Sequence, residues 1–170
     1  MNSKKNLIFL GMMGSGKSSI GLLVSKKLNL KFFDTDNMIE DEVGMKIYKI
    51  FEKKGENYFR NIEEKITLKI LKNNNNVVSL GGGAFINKKI RNEVLINNSS
   101  IWLDCDLETI LKRIKSSKKR PLVFNSNDHE IKDLIKKRLK IYSKAKFTIN
   151  CNNLTKNEIV KKITKIYELS

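Results

Sequence analysis

The strongest chemical signal in the 170-residue chain is the run Gly11-Met12-Met13-Gly14-Ser15-Gly16-Lys17-Ser18. It fits G-x-x-x-x-G-K-[ST], with an apolar run before it and a segment of helical period after it, which is the context a phosphate-binding loop requires. Glycines let successive backbone N–H groups turn inward on phosphate oxygens, and the following helix adds the positive end of its dipole. Lys17 is then expected at the β and γ phosphates of a nucleoside triphosphate, and Ser18 on Mg2+.

Other residues would complete such a site. Asp34-Thr35-Asp36 follows an apolar run, and two carboxylates at i and i+2 suit a transfer that needs one near a metal and one as base for the attacking hydroxyl. Asp36 is also placed to cap the helix that Asn37-Met38-Ile39-Glu40 begins. Gly81-Gly82-Gly83 leaves backbone open to a small polar ligand, although a flexible turn accounts for it equally well. Arg60 has Glu63 one turn on to orient its guanidinium, and Arg138 lies in another helical segment. Two converging Arg forks would clamp a carboxylate bidentately, while singly each suits a solvated salt bridge. Arg120-Pro121-Leu122 sits in a polar stretch, 116–127, which reads either as an exposed loop or as a lid over the γ-phosphate.

The elements that must hold these residues alternate. Apolar runs at 7–10, 30–33, 77–80, 101–103 and 147–149 read as five buried strands, each followed by a polar or Gly-rich break. Between them run helical patterns: Ile20, Leu22, Leu23, Val24 and Leu28; Ile62, Ile66 and Ile70 with Leu68 and Leu71; and 86–96, 107–114, 131–142 and 159–167. Thr155 and Glu158 have capping-box spacing, and Asp106 is a second start signal. Alternation of this kind predicts an α/β fold, a parallel sheet covered by helices on both faces, with ligands bound beyond the carboxyl ends of the strands. The whole chain reads as one domain.

Composition adds bounds. The net charge is +16 and the pI about 9.8, which suggests a nucleic-acid partner. Yet 29 of the 34 cations are Lys, and Asn and Ile are also abundant, a joint excess that reads as a bias toward A/T-rich codons. Residues 111–170 carry 12 of the 16 net charges, much of it Lys on the polar sides of helices and without interleaved aromatics. No nucleic-acid or membrane partner is expected. Neither an apolar run long enough to span a bilayer nor a signal-peptide core is present, so a cytoplasmic protein is expected. Cys105 and Cys151 are too few for a disulfide scaffold and read as buried or half-buried thiols, and His129 as a surface residue.

Taken in order, Gly11–Ser18, Asp34-x-Asp36, Phe59-Arg60-x-x-Glu63, Gly81-Gly82-Gly83, Arg120-Pro121-Leu122 and Arg138-x-x-x-Tyr142 resemble the shikimate kinases over nearly the whole chain. The resemblance implies a three-layer α/β/α P-loop kinase fold with a central five-stranded parallel sheet and a lid loop. It implies a substrate-binding region at about 34–63 and a lid at about 112–127. The implied reaction moves the γ-phosphoryl of ATP to the 3-hydroxyl of shikimate, with Mg2+ as cofactor, in the route to chorismate and aromatic amino acids; a monomer is expected.

It also implies roles. Gly11, Met12, Met13, Gly14, Ser15, Gly16, Lys17, Ser18 and Ser19 would bind ATP, with Arg113 along the adenine and Arg120 reaching from the lid to both nucleotide and acceptor. Asp36 would bind the shikimate hydroxyls and act as base, and Asp34 would hold Mg2+ through water with Ser18, the more so because Ser79 stands where many P-loop proteins have Asp. Arg60 and Arg138 would clamp the carboxylate, Gly82 with Gly81 and Gly83 would donate to a hydroxyl, and Phe51 and Phe59 would wall the pocket. There are two departures: residues 150–155 lack the Pro often set against the adenine, and Lys112, Lys115, Lys118 and Lys119 crowd the approach to the lid. Two alternatives compete: a kinase for gluconate or a nucleoside monophosphate, and a basic nucleic-acid binder that uses ATP only as a switch.

Overall fold

Strand β1, Leu7–Leu10, has no face toward water: all four side chains are buried, so its sequence is a continuous apolar run rather than an alternating one. The computed structural model describes residues 5–115 and 128–169. After β1 come α1 (Lys17–Leu28), β2 (Lys31–Asp34), α2 (Thr35–Val43) and α3 (Ile47–Leu71). There follow β3 (Asn76–Ser79), a 3-10 turn at Ala84–Ile86, α4 (Lys88–Asn97), β4 (Ser99–Asp104), α5 (Leu107–Lys115), α6 (Asp128–Tyr142), β5 (Phe147–Asn150) and α7 (Lys156–Glu168).

The five strands form one sheet in the order β2-β3-β1-β4-β5, all neighbours parallel. Helices cover both faces, which makes three layers. Ile20 and Val24 of α1 pack with Ile159, Val160 and Ile163 of α7 over Leu7, Phe9, Val77 and Ile101. On the other face Ile70 and Leu71 of α3, Ile90 and Val94 of α4, Ile110 of α5 and Ile131 and Ile135 of α6 cover Ile8, Leu10 and Val78. A third, smaller cluster of Ile39, Ile50, Phe59 and Ile66 lies between α2 and α3, apart from the sheet. At the amino ends of the strands, buried Asn6 accepts from the Asn76 amide at 3.0 Å and donates to Asn98 at 2.8 Å, so some of the abundant Asn is structural.

Several details differ from the sequence reading. Leu22 and Leu23 are 43% and 37% exposed, so Ile20 and Val24, with half-buried Leu28, anchor the stripe of α1 that faces the core. Helix α3 is far longer than the Ile pattern from Ile62 suggests and breaks at Gly55 (φ 79, ψ 169). The cap of α2 is Asp34, not Asp36: its Oδ1 accepts from the amides of Asp36 and Asn37 at 3.0 and 3.3 Å. The expected caps elsewhere form. Thr155 and Glu158 make a reciprocal box, and Asp106 accepts from the Thr109 amide at 2.7 Å. Among the described residues no helix is long and apolar enough to cross a membrane.

Candidate functional site

The chain direction across the sheet reverses between β1 and β3, and a crevice opens there beyond the strand ends, where open α/β sheets bind ligands. A cavity of about 750 Å³ lies at this place, and residues that follow each of the five strands line it.

The loop after β1 supplies Gly14, Gly16, Lys17, Ser18 and Ser19 to the lining. Gly16 caps α1 in the left-handed region (φ 93), a conformation that puts the loop amides and the helix N-terminus on the same side. The Lys17 ammonium is folded back on the loop, donating to the carbonyls of Gly11 at 3.0 Å and Met12 at 2.9 Å. Met12 is buried, and Ser15 Oγ is buried with no partner among the described residues, so these two side chains belong to the wall behind the loop. Ser19 Oγ donates to the Gly16 carbonyl at 3.1 Å.

Beyond β2, Asp34 has two roles. One oxygen caps α2, and the other accepts from Ser18 Oγ at 2.5 Å, which draws the hydroxyl at the start of α1 onto a carboxylate. Asp36, in the first turn of α2, turns its carboxylate into the cavity; a Cβ on Gly81 would lie 2.4 Å from its Oδ1. Thr35, read in the sequence only as the residue between two Asp, is fully buried and structural. Its hydroxyl donates to the Ser79 carbonyl at 3.3 Å and accepts from the Gly81 amide at 2.8 Å, joining the ends of β2 and β3. Ser79 Oγ itself is buried and has no partner among the described residues.

Arg60 is oriented as its spacing with Glu63 predicts, Nη1 to Oε2 at 2.7 Å, and is held a second time by Glu56, whose Oε1 accepts from Nε and Nη2 at 3.1 Å each. Glu63 is buried, and burial pushes its carboxyl up from the usual range while Arg60 and then Arg138 pull it down. Arg138 is 5% exposed, and its Nη1 has no partner among the described residues. Both guanidinium groups lie against the Gly-rich loop after β3. A Cβ on Gly83 would sit 2.6 Å from Arg60 Nη1, and one on Gly82 would sit 3.5 Å from Arg138 Nη1. The triple glycine is therefore a surface shaped to two arginines rather than a loose turn. Phe51 and Phe59 line the same side, with ring centroids 4.7 Å apart and tilted 41°, and the Arg60 guanidinium lies 5.1 Å from the Phe59 ring.

On the nucleotide-loop side, Arg113 of α5 donates to the Gly14 carbonyl at 2.8 Å. Lys156, the first residue of α7, also reaches the cavity, in the segment that lacks Pro. Arg120 lies outside the described residues, as does most of the expected lid. His129 is exposed and meets Asp133 at 3.2 Å, and both cysteines are free. The sequence reading missed Arg91, which donates to the carbonyls of Phe85 at 3.1 Å and Ile86 at 2.9 Å and so fixes the turn behind the glycines. Its rarity among so many Lys was the only signal.

Amides and a lysine at one end of this cavity have the chemistry to take phosphates, and the two guanidinium groups with Asp36 at the other have the chemistry to take a compact molecule carrying a carboxylate and hydroxyls. Comparison with known proteins agrees with this. A family model described as shikimate kinase matches residues 13–168. The chain is 46% identical over 119 residues to a shikimate kinase of Sulfurihydrogenibium, covering 70% of this chain and 72% of that one. It superposes with a TM-score of 0.91 on the shikimate kinase of Acinetobacter baumannii in complex with shikimate, at 30% identity and covering 96% and 92% of the two chains. With the shikimate kinase of Aquifex aeolicus the TM-score is 0.84, at 38% identity and 96% of each chain.

Proposed function

The chain belongs to the shikimate kinase family, and from that premise we infer that it transfers the γ-phosphoryl of ATP to the 3-hydroxyl of shikimate, giving ADP and shikimate 3-phosphate. The observation that carries the choice of acceptor is the convergence of Arg60 and Arg138 on the Gly82–Gly83 surface, in the cavity that also holds Asp36 and the phosphate-binding loop. A planar fork on each side suits one carboxylate on a small ring.

Catalysis here is positioning and electrostatics rather than covalent chemistry. The loop amides and Lys17 bind the phosphates, and Lys17 exchanges its two carbonyl partners for phosphate oxygens. Arg113 bears on the nucleotide from α5. Arg60 and Arg138 fix the acceptor by its carboxylate, Phe51 and Phe59 pack against its ring, and the Gly82 and Gly83 amides meet a hydroxyl. Asp36 orients the attacking hydroxyl and takes its proton as the bond to phosphorus forms. The resemblance gives Arg120, in the segment 112–127, the part of a lid residue, and the segment 34–63 that of the acceptor module.

Ser18 and Asp34 form a pair of hard oxygen donors already in contact, a set that suits Mg2+ and its waters. When bound, Mg2+ neutralises charge on the β and γ phosphates. A monomer is part of the same reading.

The deciding test is turnover with Mg2+ and ATP, followed by ADP release and by the mass of the product. Phosphorylation of shikimate is expected; turnover of gluconate or a nucleoside monophosphate with none of shikimate would overturn the assignment.

A further inference from the structure

Tyr142 ends helix α6 with its ring 1% exposed and 6.3 Å, centroid to centroid, from that of Trp102. A phenylalanine would fill this space without a buried hydroxyl, whose desolvation has to be offset by a good hydrogen bond. The hydroxyl does find one: it donates to the carbonyl of Gly82 in a short bond, with Met12 Sδ of the phosphate loop 3.8 Å away.

Three consecutive glycines have a wide choice of conformation, and the loop at 81–83 is held one group at a time. The Gly81 amide donates to Thr35 Oγ1, while the Gly81 and Gly83 carbonyls accept from the Ala84 and Ile86 amides at 3.0 Å each. The Gly82 carbonyl is held by Tyr142. That leaves Gly82 and Gly83 as the loop amides with no partner among the described residues, and both residues line the cavity. A carbonyl and the next residue's amide belong to one rigid plane and point opposite ways, so fixing the Gly82 carbonyl fixes the direction of the Gly83 N–H.

We infer that the Tyr142 hydroxyl is a positioning group for acceptor binding, holding the Gly82–Gly83 peptide so that the loop amides face the acceptor. Arg138 is one helical turn earlier, so α6 delivers the carboxylate clamp and the latch for the opposing loop from the same face. Burial pushes the phenol up to about 12, so it stays a protonated donor throughout the range in which the enzyme works. The inference rests on the reading of this loop as the acceptor surface.

The test is Tyr142→Phe, which keeps the ring and removes only the hydroxyl. The expected result is a KM for shikimate raised about five- to tenfold, with the KM for ATP changed by less than about twofold, the cost of one lost internal hydrogen bond. Hydrogen exchange of the Ala84 and Ile86 amides, which bond back to the loop carbonyls, should speed up while that of β1 does not change. An unchanged KM for shikimate overturns the inference. So does an equal rise for both substrates, or a variant that no longer folds, because each would make the hydroxyl a general support of the core. Wild-type turnover is measured first. If shikimate is not phosphorylated, the functional assignment fails on its own, and the same split in KM is then read for the acceptor that is.

Discussion

Ser18 Oγ donates to Asp34 Oδ2 at 2.5 Å, which joins the first turn of α1 to the end of β2. The other Asp34 oxygen caps α2, so one carboxylate holds both the Ser18 hydroxyl and the helix that carries Asp36. The two roles separate by substitution. Asp34→Asn keeps a good capping group and removes the charge, so melting temperature should hold while the Mg2+ concentration for half-maximal turnover rises about tenfold. Asp34→Ala should add a stability loss of about 1 kcal/mol. Equal Mg2+ requirements in wild type and Asp34→Asn would remove Asp34 from the metal site.

Asp36 has a separate fate, because the cap of α2 is Asp34. Asp36→Asn should lower turnover by about 10²- to 10⁴-fold and leave the affinity for ATP within about twofold, as loss of a general base does. Nucleotide binding is read by calorimetric titration and turnover by ADP release. Turnover within about threefold of wild type would exclude Asp36 as base.

Two glycines should respond oppositely to an added methyl group. In Gly83→Ala the new Cβ meets the far end of Arg60, 2.6 Å from Nη1, and a side chain can move aside. The fold should survive and the KM for shikimate should rise about tenfold as the displaced fork loses its aim. In Gly11→Ala the Cβ meets the Leu103 carbonyl at 2.8 Å, with φ at +141, and backbone cannot yield so cheaply. There the loss should fall on stability, about 2 kcal/mol or more. Chemical denaturation and steady-state kinetics on both variants decide; the reverse pattern would contradict the geometry.

The pH dependence of stability should carry the mark of Glu63. Burial raises its carboxyl above the 4.5 of an exposed glutamate, against the pull of Arg60 and Arg138. The folded state therefore binds more protons than the unfolded one just above that value, and stability falls as pH rises from 4.5 through the folded-state pKa. Thermal melts of wild type and Glu63→Gln between about pH 4 and about pH 7 isolate this contribution. The advantage of wild type over the variant should shrink with rising pH across that window; an advantage that grows would mean the arginines, not burial, dominate.

The parts of the fold legible in sequence were those that local pattern dictates. Fully buried parallel strands such as Leu7–Leu10 leave unbroken apolar runs, and the phosphate-binding loop needs its glycines and Lys17 at fixed spacing. The capping of α2 was not legible, because Asp34 and Asp36 are chemically alike. The choice depends on where β2 stops, which its pairing with β3 sets at Asp34 opposite Ser79. Glu56, Arg91 and Tyr142 also escaped notice as site supports. Glu56 spaces like any surface carboxylate, whereas Arg91 and Tyr142 act on backbone carbonyls, and the bond from Tyr142 to Gly82 spans 60 residues of sequence that no local period encodes. The four arginines among the described residues are a better guide than the total charge: Arg60, Arg113 and Arg138 line the cavity, and Arg91 fixes the turn after its glycines.

The small cluster of Ile39, Ile50, Phe59 and Ile66 gives the acceptor side of the cavity an apolar interior of its own, joined to the sheet core through Met38. A region with its own apolar interior opens and closes as a unit, at a lower free energy than unfolding of the whole molecule. The Phe51 and Phe59 wall thereby has packing of its own, while Arg138 and the glycine loop stay on the sheet scaffold. Mutations within this cluster should retune how the enzyme selects what it phosphorylates while the phosphate-binding half keeps its shape, which makes the segment a natural cassette for exchanging specificity between related kinases.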